Sequence, residues 1–248
     1  MFNGVELFKK LSFGKKIRLS IIALIVGIMV LAPLVAAAGN PNPGVVPVNS
    51  NFHGKTYGEW SAEWWKLVLF IPLSNNPLYD DGTGKFTTEA QPGDVWFLVG
   101  SWIGTKQLTC KVPVGKAIFF PIINVEGSKI EGMGESEADF RNYANAIMNN
   151  VTELKVSVDG KPLQNLKDYR TDSGLFEFTL PEDNVLGLPA GPSPSVSDGY
   201  WIMLTPLPAG KHTIYIYGKA EHVPPDDSIF VTEMTYNLEV QPKSQMKR

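Results

Sequence analysis

The chain is nearly without cysteine. Cys110 is the single one in 248 residues, so no intramolecular disulfide can form. Its setting, Leu108-Thr109-Cys110-Lys111-Val112, reads as a strand, and a small buried apolar residue is the expected role. Histidine is scarce too. His53, His212 and His222 are the only three, and none has metal-ligand spacing to another. There is no His-Glu-x-x-His, no Gly-x-Ser-x-Gly and no phosphate-binding glycine loop. These absences remove the usual sequence marks of zinc peptidases, α/β-type serine hydrolases and nucleotide-binding enzymes. A Ser-His-Asp triad needs no local spacing, and nothing in the sequence points to one.

Basic runs are missing as well, outside the first residues. Lys9, Lys10, Lys15, Lys16 and Arg18 precede an apolar run from Leu19 to Leu31. Pro33 breaks that run, and Ala36-Ala37-Ala38 follows with small residues. Basic, apolar, small is the order of a secretory signal, which predicts residues 1–38 as a signal peptide. The same segment, if uncleaved, nearly spans a bilayer and would serve as an N-terminal anchor. Either way the body is expected outside the cytoplasm, secreted or at the cell surface. Setting the segment aside removes five basic residues and one acid, so the remainder is more acidic than the whole chain, whose formal charge is −3. An acidic body without basic patches predicts no nucleic-acid partner, and membrane contact only through an uncleaved N-terminal segment.

What remains suits a folded body. Hydrophobic residues make up 44% and charged residues 19%, a balance that buries a core. Residues 39–51, with Gly-Asn-Pro-Asn-Pro-Gly at the start, read as an extended linker. Residues 52–242 read as one domain, and 243–248 as a flexible tail.

The stretch from Thr56 to Pro72 holds three of the six tryptophans and reads as a helix with both ends marked. Thr56 and Glu59 have capping-box spacing, and Pro72 stops the helix. Trp60, Trp64, Leu67 and Ile71 share one face, expected to be core. Trp65 and Leu69 fall nearly opposite, so the helix is apolar on two sides. A second helix is predicted from Ser136 to about Met148, with Phe140, Tyr143, Ala144 and Ile147 on one face. Strands are predicted over Asp94–Trp102, Gln107–Val112, Lys116–Ile123, Glu153–Val158, Leu175–Leu180, Tyr200–Thr205, His212–Tyr217 and Thr232–Val240. Pro121 inside the third implies a bulge or an edge. Asp159-Gly160 predicts a type I′ hairpin turn. Pro181 to Gly199, with four prolines, reads as a long loop. Two Pro-x-Gly-Lys turns, at Pro113–Lys116 and Pro208–Lys211, each launch a strand. The expected fold is mainly β: an antiparallel, jelly-roll-like β-sandwich with two short α-helices packed on it.

Three groups of motifs carry a resemblance. They are Gly58-Glu59-Trp60-Ser61-Ala62-Glu63-Trp64-Trp65-Lys66 ending in Ile71-Pro72; Gly93-Asp94-Val95-Trp96-Phe97-Leu98 with Cys110-Lys111-Val112-Pro113-Val114-Gly115-Lys116-Ala117-Ile118-Phe119-Phe120-Pro121; and Asp198-Gly199-Tyr200-Trp201 with Leu207-Pro208-Ala209-Gly210-Lys211-His212. With these the chain resembles a group of uncharacterised, signal-bearing secreted proteins of bacteria and archaea. The resemblance covers most of the chain after the linker. It implies secretion and a shared fold, and no activity or catalytic residue. Members carry further cysteines where this chain has Thr87, Thr88 and Gly127, so a disulfide implied by the resemblance is missing here.

Candidate sites follow from residue chemistry. Trp65, Trp102, Tyr200 and Trp201 offer flat faces that stack on sugars. Glu126, Glu131, Glu135, Glu137 and Asp139 crowd the approach to the second helix, where a catalytic carboxyl pair would need a separation of about 5 to 9 Å across a glycosidic bond. Glu126 and Glu131, with Asp226 and Asp227 beside His222, are the metal candidates, calcium being the ion such oxygens suit; no other cofactor is expected. Asp80-Asp81-Gly82-Thr83-Gly84 reads as turn chemistry rather than a calcium loop. Asn150-Val151-Thr152 is a glycosylation sequon. The function expected is a non-catalytic secreted or surface-tethered module binding a glycan or cell-envelope protein. The alternative is an extracellular glycoside-type hydrolase using acids of 126–139 or the loop 181–199.

Overall fold

A computed structural model describes residues 41–91, 93–102, 106–242 and 244. The expected signal segment and nearly all of the tail lie outside these residues. Everything below concerns the unit that begins at Asn42. Among the described residues no helix is long and apolar enough to cross a membrane.

The first helix, α1 (Tyr57–Phe70), starts where its capping box places it. The Thr56 hydroxyl accepts from the Glu59 N–H, and the Glu59 carboxylate accepts from the Thr56 N–H at 2.7 Å. The helix ends at Ile71, before Pro72, because the ring of a proline excludes helical geometry from the residue before it. Both apolar sides are buried: Trp64 and Leu67 on one, Trp65 and Leu69 on the other. The second helix, α2 (Glu137–Met148), is capped in the same way by Ser136 and Asp139.

Among the described residues strands hold 44% and helices 19%, so the architecture is mainly β. The strands are β1 (Val95–Phe97), β2 (Gln107–Pro113), β3 (Ala117–Ser128), β4 (Val151–Val158), β5 (Lys161–Pro162), β6 (Arg170–Leu180), β7 (Gly191–Leu204), β8 (Gly210–Val223) and β9 (Ser228–Gln241). They form two sheets, β1-β3-β7-β6 and β2-β9-β8-β4-β5. The pairs β1–β3 and β2–β9 are parallel and the rest antiparallel. The sheets meet face to face; a side chain at Gly218 of β8 would place its first carbon 2.7 Å from Ile123 of β3. On its other face the first sheet carries α1, which lies across β6 and β7. The approach is tightest at Gly58, where a Cβ would sit 2.2 Å from the Asp172 carbonyl oxygen. Phe119 of β3 and Trp201 of β7 stack flat at 5.2 Å beneath Trp64.

Three local expectations meet their residues. The register of β3 against β7 shifts between Pro121 and Ile123, as a bulge at a proline requires. Asp159 and Gly160 both take positive φ in the turn that joins β4 to β5. Asp80 is fully buried, and its carboxylate accepts the N–H groups of Gly82, Gly84 and Phe86 at 2.9 Å, which is turn chemistry.

Two others differ. Residues 191–199, expected as loop, are the first half of β7, a strand lying between β3 and β6. Pro192 and Pro194 obscured it. They are accommodated because β3 ends at Ser128, opposite Ser195, so no ladder donor is required of them on that side. Residues 42–46, expected within a linker, are docked instead. Val45 and Val46 are buried, the Val46 N–H donates to Met203 of β7, and Asn42 exchanges two hydrogen bonds with Gln164. The buried Tyr57 hydroxyl fastens this segment by donating to the Val46 carbonyl at 2.6 Å and accepting from the Met203 N–H.

Candidate functional site

The strand β1 is only three residues long. It pairs with Ala117, Ile118 and Phe119 of β3 and then leaves. Among the described residues, β3 from Pro121 onward therefore has a strand partner on one side only, the β7 side. A cavity of about 640 Å³ wraps round this free edge, within the size range of small-molecule sites. One wall is α1, through Trp64 and Trp65. The edge itself gives Pro121, Asn124, Val125 and Glu126. The second sheet gives Ile216 of β8 and Met234 and Tyr236 of β9. Trp102, 50% exposed, and the exposed Val231 mark the mouth.

The polar content of the wall is concentrated. Trp65 is 7% exposed and Tyr236 0%. The Trp65 Nε1, Ser101 Oγ, Asn124 Nδ2 and Tyr236 hydroxyl are all screened from solvent, and none has a hydrogen-bond partner among the described residues. A buried polar group left unpaired costs about 1–3 kcal/mol. Four such atoms sit on side chains that wall one cavity, each covered from water, so a shift of these side chains toward a ligand would gain them polar partners. Trp64 differs: its indole N–H is satisfied by the Leu98 carbonyl at 2.9 Å.

Glu126 lies at the base, on the face of β3 that α1 covers. Its carboxyl is buried, accepts the Ser195 hydroxyl of β7, and is in hydrogen-bond contact with the carboxyl of Glu131. Glu131 in turn accepts the Ser128 hydroxyl at 2.5 Å. Burial pushes the Glu126 carboxyl well above the ordinary range, the Glu131 carboxyl pushes it further, and Ser195 opposes both. Two carboxyls in contact resist ionising together, so the Glu126 proton is held more tightly. Tyr143 of α2 closes this end, its phenol shifted upward by burial and by the two glutamates. Across the cavity, Lys106 and Glu233 form an ion pair at 2.5 Å.

Of the residues expected at a site, Trp65, Trp102, Glu126 and Glu131 come together here. Tyr200 and Trp201 do not. Trp201 is wholly buried in the stack on Phe119, Tyr200 is buried opposite Ile123 and Arg170, and neither lines the cavity. Asp226 and Asp227 stand in the exposed turn between β8 and β9, where Asp227 pairs with His222 at 2.7 Å. They do not join the glutamates at the cavity, and among the described residues no group of three or more His, Cys, Asp or Glu side chains is disposed to hold a metal ion. Asn150 follows α2 and donates to the Ala146 carbonyl at 2.8 Å. Cys110 is buried, its thiol pushed up to about 11 by desolvation.

Asn124, Ser101, Tyr143 and Tyr236 were not among the expected site residues. For Asn124 a signal existed: Asn124 and Glu126 are two apart, the spacing of one strand face, directly after the apolar run of β3. No local pattern distinguishes Tyr236, whose neighbours alternate like any strand.

No family model matches the chain, and no curated protein matches it. Among solved structures, the cysteine protease inhibitor EhICP2 from Entamoeba histolytica aligns at 12% identity and a TM-score of 0.21, over 54% of this chain and 86% of that one. The solution structure of amebosin aligns at 12% identity and a TM-score of 0.18, over 55% and 90%. Likenesses this slight bear on neither fold nor function.

Proposed function

We propose that the protein is a secreted or surface-tethered, non-catalytic binding module whose ligand is a glycan of the cell envelope or its surroundings, held in the cavity at the free edge of β3. The observation that carries this reading is the composition of the wall. Indole side chains of Trp65 and Trp102 are combined with solvent-screened donors and hydroxyls that have no partner among the described residues. A sugar has apolar ring faces for the first and hydroxyls for the second. The test uses tryptophan fluorescence with a panel of neutral and charged oligosaccharides, and retention on polysaccharides and envelope fractions. Binding is expected to shift the emission, and Trp65→Phe and Trp102→Ala are each expected to weaken it about tenfold. No spectral change and no retention across the panel would overturn the reading.

The hydrolase reading has one observation in its favour: Glu126 and Glu131 converge in a concave site, and a carboxyl that holds its proton more tightly than usual suits a general acid. Their contact argues against it. Glycoside hydrolysis sets its carboxyls about 5 to 9 Å apart, on two sides of the bond. Release of reducing ends from any bound oligosaccharide, abolished by Glu126→Gln, would establish it.

A further inference from the structure

We infer that the saccharide this cavity takes is one bearing a free amino group, its ammonium seated at the Glu126–Glu131 pair. The inference rests on the glycan reading above and narrows it to one chemical class.

Charge is the first argument. Four charged side chains line the cavity, three acids and one base. The base, Lys106, is already committed to Glu233, so among the described residues nothing in the wall neutralises the two glutamates. Two further charged groups near the edge are paired. Asp198 of β7, on the opposite face beside Val125, is held by Arg170 at 2.6 Å, and Lys129 by Glu135 at 2.6 Å. An acidic sugar entering here would meet uncompensated like charge. A neutral sugar would leave the pair with no opposite charge. An ammonium supplies that charge and donates to both carboxyls at once.

The aromatic lining is the second argument. Trp65 and Tyr143 wall the cavity along with the glutamates, and indole and phenol faces attract cations. The third argument is independent of charge. The Trp65 Nε1 and Asn124 Nδ2 can only donate, while the Tyr236 and Ser101 hydroxyls can do either. Unpaired donors of this kind call for ligand oxygens, which a simple alkylammonium lacks and an amino sugar carries around its ring. Seating an ammonium also favours loss of the proton that burial and the neighbouring carboxyl hold on Glu126. The ligand keeps its own proton, the pair becomes two carboxylates, and the displaced proton goes to buffer.

The experiment compares glucosamine oligomers, their N-acetylated counterparts of equal length and glucuronate oligomers at pH 6.5, by calorimetry in two buffers of different ionisation enthalpy. Glucosamine oligomers are expected to bind at least tenfold more tightly than the acetylated ones, glucuronate oligomers not at all, and binding is expected to release protons to the buffer. Glu126→Gln is expected to shrink the tenfold preference to about threefold or less and to remove the proton release. Glu131→Gln, on the turn and less buried, is expected to do the same, and a melting curve confirms that each variant is folded. If acetylated and free amino oligomers bind equally, the amino-sugar inference fails while the glycan reading stands. If no saccharide of any class binds, both fail.

Discussion

A carboxyl buried beside a second carboxyl is a poor choice for stability, and Glu126 is such a residue. Its native value lies above the unfolded one, so in the window between them the native state binds more protons. Stability then falls as pH rises. The contribution of this group is complete below the ordinary carboxyl value of 4.5 and is lost as the pH climbs through the raised native value. Glu126→Gln keeps the shape and removes the titration. The variant is expected to melt above the wild type at pH 8, by about 2–4 °C for each kcal/mol relieved, with the difference closing toward pH 4.5. Thermal melts across that range check it; a variant that melts lower at pH 8 would mean that the charge is no burden. A residue kept at a cost to the fold is consistent with a role in binding.

At the scale of elements, the capping box of α1, the proline bulge and the Asp-Gly turn were all legible, because each depends on neighbours within four residues. The reach of β3 and β7 was not. β3 appeared to end at Ile123 since Asn124 and Glu126 broke its apolar run, yet those two polar residues are the part that faces the cavity. β7 was masked by Pro192 and Pro194, whose acceptability depends on where another strand stops. The two apolar sides of α1 were readable, but not what each would meet. Trp64 entered the core stack and Trp65 the cavity wall. The partners lie more than thirty residues away, and periodicity does not identify them. The helix-to-sheet approach gives a sharp test. Gly58→Ala places a carbon 2.2 Å from a backbone oxygen of β6, and neither main chain can yield without moving an element. A loss of about 3 kcal/mol is expected, measured by denaturant titration. A loss below about 0.5 kcal/mol would mean that α1 rides more loosely than its contacts imply.

The unit that begins at Asn42 is a sandwich with an additional layer, since α1 buries the face of the first sheet that the second sheet does not reach. The segment before α1 takes part in that layer. Val45 and Val46 are buried against β7, and the Tyr57 hydroxyl ties them down. Burying one valine side chain is worth roughly 1.5–3 kcal/mol. A chain beginning at Asn51 is expected to lose about 3 kcal/mol or more against one beginning at Asn42, with an equal fall in unfolding midpoint by fluorescence and by circular dichroism. Equal stability of the two would return residues 42–50 to the status of a spacer. The sandwich itself was readable from alternating strands and their turns. The cavity was not, because it arises from a strand that stops early.

That early stop has a consequence for how the molecule behaves among its own copies. A sheet border left without a partner ordinarily invites a strand from another chain, and proteins guard such borders with charge or proline. Here the bare stretch of β3 is turned inward, between α1 and the second sheet. It borders the cavity. Lengthening β1 by four residues would complete the ladder and fill the hollow in the same step, so a tidier sheet and an open cavity are mutually exclusive outcomes for this chain.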